Sequence, residues 1–174
     1  MDYELRKLSI NDGIDVYDML QEIPKDENGF INSGNGLMFE DYALWLKRNV
    51  EMADAIGLEG WMVPQTTFWL FINNVPVGYG KVRHYLNDRL KEDGGNVGYA
   101  IRPSQRGKGY GKLVLKLLLA EANKIGIENV LVTVKNENTP SIRVAQANGG
   151  VIAKVNEVRH YIWLNSKALF QIDD

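Results

Sequence analysis

Val97-Gly98-Tyr99-Ala100-Ile101-Arg102-Pro103-Ser104-Gln105-Arg106-Gly107-Lys108-Gly109-Tyr110-Gly111-Lys112 is the stretch on which the fold turns. Its first third is a short apolar strand. Pro103-Ser104 breaks that strand, and three alternating glycines lead into a long amphipathic pattern. That pattern runs from Gly109 to Ile125, with Leu113, Val114, Leu117, Leu118, Ala122 and Ile125 on one side and Lys112, Lys116 and Lys124 elsewhere. The first turn of such a helix carries N–H groups without internal partners and the positive end of the helix dipole. Glycines at 107, 109 and 111 leave one surface of the turn nearly bare. Arg102, Arg106, Lys108 and Lys112 surround it with positive charge. The combination predicts a diphosphate site.

Outward from that stretch, the alternating and helical patterns continue in both directions. Residues 3–8 read as a strand, 9–23 as a helix stopped by Pro24, and 25–37 as a Gly/Asn-rich loop. Asp41 caps a second helix with Tyr42, Trp45, Leu46 and Val50 at helical spacing. Phe68–Ile72 and Val77–Tyr85 flank the turn signal Asn73-Asn74-Val75-Pro76 and predict a hairpin. Residues 86–95 read as a polar loop. After the central helix, Val130–Val134 is an uncharged β-branched strand, as a strand covered on both faces requires. Asn138 or Thr139 caps a further helix with Pro140 in its first turn. Val151–Val155 and Val158–Leu164 predict a terminal hairpin. Hairpins together with one strand-helix-strand crossover give an α/β class with a mixed, largely antiparallel sheet and flanking helices. The 174 residues suit a single domain, 1–174, with its core at about 3–164.

Composition narrows the chemistry. The chain has no cysteine and two histidines, His84 and His160, which argues against thiolate chemistry and a histidine-rich metal site. Lys and Arg number 20 against 22 Asp and Glu, which does not recommend a nucleic-acid binder. No stretch approaches the ~18 apolar residues of a membrane span, and no signal peptide is evident. A cytoplasmic chain with a small anionic ligand is the expectation. A Walker loop is excluded because Lys112 is followed by Leu113. A dinucleotide fingerprint fails because its third glycine falls on Lys112 or Val114.

Arg106-Gly107-Lys108-Gly109-Tyr110-Gly111 fits Arg/Gln-x-x-Gly-x-Gly/Ala and resembles the GNAT-type N-acetyltransferases. Val97–Pro103 looks like the fourth strand of that family, and Asn138-Thr139-Pro140-Ser141 like its second conserved region. The likeness extends from about residue 3 to 164, and Arg83–Asn87 with Gly94–Tyr99 is similar to a bacterial branch of predicted acetyltransferases. The resemblance implies the acyl-CoA N-acyltransferase fold and acetyl-CoA as co-substrate, with no metal. It implies direct attack by a primary amine, in a ternary complex, with no covalent enzyme intermediate.

The same resemblance places residue roles. Arg106, Gly107, Lys108, Gly109, Tyr110 and Gly111 hold the diphosphate. Ile101 and Arg102 pair with the pantetheine arm through their backbone, and Asn138 and Ser141 lie beside it. A backbone N–H near Tyr99 polarises the thioester carbonyl. Glu92, Asp93 and His84 are the candidate bases. The tyrosine that many members place seven residues after the Asn138 position is Ala145 here, so Tyr99, Tyr110 or Tyr161 is left as acid. Trp45, Trp61, Trp69 and Tyr85 are candidates to line an acceptor pocket. The acceptor is a small-molecule or peptide amine, and the oligomeric state is open, a homodimer included. The alternative is a non-catalytic acyl-CoA sensor of the same fold.

Overall fold

The computed structural model describes residues 1–168. In chain order its elements are β1 (Tyr3–Lys7), α1 (Ile14–Glu22), β2 (Asp26–Glu27), β3 (Phe30–Ile31), α2 (Phe39–Ala53), β4 (Gln65–Ile72) and β5 (Val75–Arg83). There follow α3 (Asp88–Glu92), β6 (Val97–Ile101), a 3₁₀ turn (Pro103–Gln105) and α4 (Tyr110–Lys124). The chain continues with β7 (Asn129–Lys135), α5 (Thr139–Ala147), β8 (Val151–Val155) and β9 (Arg159–Asn165). Two antiparallel sheets, ordered β1-β4-β5-β6 and β7-β9-β8, stand side by side, and this is the mixed α/β architecture expected.

The period-two pattern of β4 explains the layering. Phe68, Leu70 and Ile72 face α4 and join Val114, Leu115, Leu118 and Leu119 in one core. Trp69 and Phe71 face the other way and pack with Met19 and Leu20 of α1 and Tyr42, Trp45 and Leu46 of α2. The β4–β5 turn uses Asn73 (φ 47°) and Asn74 (φ 63°), the left-handed pair that a two-residue hairpin favours. Pro76 enters a central strand because the register shifts between Leu70 and Phe71, so its missing N–H falls at a bulge.

Three expectations are corrected. The loop at 25–37 contains the β2–β3 hairpin, pinned by the buried Asn32, whose amide donates to the carbonyls of Leu20 and Ile23 at 2.9 Å each. The loop at 86–95 contains α3, capped by the Asn87 side chain accepting from Leu90 N–H at 2.9 Å. The second helix begins at Phe39 after Met38, and Asp41 lies within its first turn.

The two sheets meet at one point. Asn96 donates its N–H to Leu131 O (2.8 Å) and accepts Leu131 N–H on its side-chain oxygen (2.9 Å). Gly95 permits this: it sits at φ 60°, and a Cβ there would lie 2.3 Å from Leu131 O. Beyond this vertex, among the described residues, β6 pairs only with β5 and β7 only with β9. The strands run parallel, joined by the α4 crossover, and diverge toward their C-terminal ends.

Candidate functional site

The phase of the β5–β6 ladder decides which backbone groups enter the gap. Arg83 N–H bonds Asn96 O at 2.7 Å and Arg102 N–H bonds Val77 O at 2.8 Å. With Tyr79 opposite Ala100 and Lys81 opposite Gly98, the even-numbered residues of β6 therefore pair with β5. Tyr99 and Ile101 turn their main-chain groups away from β5, toward β7. This corrects the expectation for Arg102, whose N–H is spent inside the sheet. Ile101 O already accepts Arg106 Nε at 3.0 Å, leaving the Ile101 N–H facing the gap.

At the wide end of the gap stands the start of α4. Gly109 is its N-cap residue in the left-handed conformation (φ 82°, ψ 6°), and no side chain caps the helix. The N–H groups of its first turn are open, as the glycine pattern predicts. Gly107 also has a positive φ of 77°, and nothing lies within 4 Å of the place where a Cβ would stand at either glycine. A cavity of about 560 Å³ opens here. It is lined by Tyr99–Ile101 on one wall, Gln105, Arg106, Gly107 and Gly109–Lys112 at the helix start, and Asn138, Pro140, Ser141 and Val144 opposite.

The ring of four cations is smaller than its residues suggest. Arg102 forms an ion pair with Glu22 of α1, which also accepts Ser104 N–H at 2.7 Å. Burial pushes the Glu22 carboxyl up, and the bonds from Arg102 and Ser104 outweigh it, so its pKa lies below the usual value. Lys108 reaches back to Gln105 Oε1 at 2.8 Å and does not line the cavity. Arg106 lines it and is also held by Glu27 at 2.5 Å. Lys112 lines it too.

A second, smaller cavity of about 120 Å³ lies on the α1–α2 side of the gap. Its walls are Glu27–Ile31, the β5 residues Lys81 and Arg83, Asp93, Gly98, Val132–Lys135 and Arg159. Glu27, Asn28, Tyr99, Asn138 and Ser141 line both cavities, so the two approach each other at these residues. Asn138 stands at the N-cap position of α5 without capping it; its amide donates instead to Ser141 Oγ at 3.0 Å. The Tyr99 hydroxyl lies beside Ser141, is fully buried, and makes no hydrogen bond of good geometry. Burial raises the Tyr99 pKa, with the Ser141 hydroxyl opposing that shift. Ala145, in the place of the expected acid, is packed into the core.

The three candidate bases separate. Asp93, itself exposed, lines the smaller cavity and faces Arg159 at 3.4 Å. Glu92 is exposed, outside both cavities; only its backbone carbonyl is engaged, by Tyr161 Oη at 2.9 Å and Arg159. His84 also lies outside them, with Nε2 2.7 Å from Thr66 Oγ1. Its pKa is lowered by burial and by Lys7, against Asp54. The four aromatics proposed for an acceptor pocket line neither cavity. Trp45 and Trp69 stack in the core with centroids 6.3 Å apart, and Trp61 and Tyr85 are exposed.

Sequence reasoning missed Lys81. It is nine-tenths buried between Phe30 and Tyr79, with its ammonium 4.6 and 5.2 Å from their ring centroids and 2.5 Å from Ile31 O. Burial first, and then the neighbouring Arg83 charge, lower its pKa to about 7. The available signal was a lone lysine amid the apolar β5 pattern. Among the described residues no group of three or more His, Asp or Glu is arranged to hold a metal ion, and no helix is long and apolar enough to cross a membrane.

The fold has solved counterparts at low identity. One is the ribosomal L7/L12 alpha-N-protein acetyltransferase RimL in complex with coenzyme A (TM-score 0.68, 14% identity, 94% of this chain and 93% of that one). Another is the Campylobacter jejuni N-acetyltransferase PseH in complex with acetyl coenzyme A (TM-score 0.63, 12% identity, 94% and 99%). A third is the acetyltransferase of GNAT family from Streptococcus pneumoniae (TM-score 0.61, 16% identity, 93% and 97%). Comparison with curated protein sequences gives no match. A model of the acetyltransferase (GNAT) family matches residues 35–149, well over half of the chain. That span holds β6, the glycine turn, α4, β7 and α5, the elements that wall the larger cavity, and the chain belongs to that family.

Proposed function

We propose that this chain transfers the acetyl group of acetyl-CoA to a primary amine by direct attack in a ternary complex. The observation that carries the reading is the pair of cavities approaching each other at Tyr99, Asn138 and Ser141. One has a bare helix start for a diphosphate; the other is walled by the β2–β3 hairpin, β5 and β7. The open N–H groups of α4 and Lys112 bind the phosphates. The Ile101 N–H pairs with the pantetheine arm as an added strand would. The Tyr99 N–H donates to the thioester oxygen, where negative charge grows during attack.

The amine must arrive neutral, since an alkylammonium of pKa ~10 has no lone pair to offer. Asp93, which lines the smaller cavity, takes that proton, directly or through water. The nitrogen attacks the thioester carbon, the C–S bond breaks, and the sulfur leaves with the electron pair. Tyr99 supplies a proton to that sulfur in place of the absent family tyrosine, and the second proton, shed by the nitrogen as the amide forms, passes through water to restore the phenol. No side-chain nucleophile takes part. RimL, named for a protein α-amine, lends support to an amine acceptor.

The deciding assay is a panel of amines with acetyl-CoA, following release of free thiol. Turnover of any amine supports the reading. Coenzyme binding with no turnover on any member of a broad panel would favour the sensor alternative. Three variants assign the base. We expect Asp93→Asn to lower kcat about 100-fold and to flatten the pH–rate profile, within the range for lost proton transfer. His84→Ala and Glu92→Gln, both outside the cavities, are expected to keep the wild-type profile. A profile unchanged in the Asp93 variant would remove it from the mechanism.

A further inference from the structure

The smaller cavity holds more positive charge than its own acids can answer. Lys81, Arg83, Lys135 and Arg159 line it, against Asp93 and Glu27. Glu27 is committed to Arg106, and Asp93 faces Arg159. Arg83 has no carboxylate within ion-pair distance among the described residues; its Nη1 rests on the carbonyls of Gly94 (3.1 Å) and Gly95 (3.3 Å). Lys81, more deeply buried, has one carbonyl and two ring faces. A guanidinium cannot shed its proton at physiological pH, and buried charges in folded proteins are normally paired. One buried and one half-buried cation with no carboxylate at ion-pair distance, Asp93 acting on Arg83 only from farther off, stand at the wall of a cavity that reaches the reacting centre and point to an anionic partner.

We infer that the acceptor is an amine that also carries an oxyanion, a carboxylate or a phosphate, bound between Lys81 and Arg83. The inference rests on the acetyl-transfer reading and names its substrate class. The oxyanion supplies the missing counter-charge, and Arg83 can meet it with its planar fork of donors. Asp93, in the same cavity, faces the amine end as well as Arg159. A polyamine brings only further positive charge to Lys81 and Arg83 and is disfavoured.

The lowered Lys81 pKa agrees with an empty counter-ion position. A bound anion would reverse the effect of Arg83 and draw a proton onto Lys81. The groups facing it are Arg83 on its own strand, Lys135 and Arg159 on β7 and β9, Asp93 beyond α3 and Glu27 in the β2–β3 hairpin. Oxyanion binding is therefore expected to take up a proton and to weaken as pH rises above about 7.

The test compares initial rates with L-amino acids, their matched amides, phosphoethanolamine and spermidine, all with acetyl-CoA. We expect at least one oxyanion-bearing amine to exceed its matched amide, or spermidine, by at least about tenfold in kcat/KM. Preference for carboxylates or for phosphoethanolamine identifies which oxyanion is used. In Lys81→Met the KM for the preferred acceptor should rise at least about tenfold. The KM for the matched amide should rise by a clearly smaller factor, and the acetyl-CoA Kd should stay within about twofold. Amides or spermidine turned over as well as the oxyanion-bearing amines would overturn the inference and leave acetyl transfer standing. So would acetyl-CoA binding with no turnover of any oxyanion-bearing amine while other amines react. Loss of acetyl-CoA binding in the unaltered protein would instead overturn the transfer reading, and this inference with it. The wild-type panel decides even if the Lys81 variant does not fold.

Discussion

Gly109→Asp is expected to weaken coenzyme A binding at least about 100-fold in a calorimetric titration. Two effects combine. A carboxylate at the N-cap accepts the first-turn N–H groups itself, as aspartate does at many helix starts. Each charge-assisted hydrogen bond denied to the diphosphate is worth about 1.5–3 kcal/mol, so two of them exceed the ~2.8 kcal/mol of a hundredfold change. The added negative charge then opposes the phosphates. Gly109→Asn isolates the charge, because its amide oxygen can accept the same N–H groups under the same backbone strain. Both side chains meet the same φ of 82° and the same open space. Both should lose about 1 kcal/mol of stability and a few degrees of Tm, since Asn and Asp tolerate the left-handed region better than other residues. The Asp variant should bind coenzyme at least about tenfold more weakly than the Asn variant, and the difference should shrink with salt. Equal affinities would remove the charge from the argument. Unchanged affinity in both would place the coenzyme elsewhere.

Tyr99→Phe is expected to lower kcat about 100-fold near neutral pH with little change in acetyl-CoA affinity. The loss should shrink above pH ~8.5, where a thiol leaves readily as the thiolate and needs no donor. Because burial holds the phenol above its ordinary pKa, it keeps its proton through this range. The sign for stability follows. The unfolded chain releases this proton near pH ~10 and the folded chain later, so Tyr99 costs stability as pH rises past that point. Buried Tyr42 and Tyr79, also shifted upward, act in the same sense. Near pH 7 the substitution should leave Tm unchanged or raised, because the hydroxyl is buried without a partner. A stable variant with wild-type kcat across pH would remove Tyr99 as the acid. A sharp fall in Tm would show a structural role instead.

The parts legible from sequence were those governed by local rules. The α4 stripe, the β-branched β7 and the Asn73-Asn74 turn each follow from periodicity or turn chemistry within a few residues. The glycine spacing gave the uncapped, open start of α4 for the same reason. Long-range choices were not legible. Nothing near Arg102 in the chain says that Glu22 claims its guanidinium, or that its N–H belongs to Val77. Lys81 reads as an ordinary polar residue of a strand until β2–β3 folds over it. The ranking of Glu92, Asp93 and His84 likewise depended on which side of α3 and β5 each faces. Short elements such as β2, β3 and α3 escaped because two to five residues carry no period.

The Asn96–Leu131 vertex has one more consequence. Past it, the amide hydrogens of Tyr99 and Ile101 have no strand to shelter them, although the other edge of β6 is sealed against β5. In deuterated water without coenzyme they should exchange far faster than their neighbours Gly98 and Ala100, whose amides are locked against β5. Saturating the protein with coenzyme A should slow Ile101 first, turning a small molecule into the strand the polypeptide leaves out.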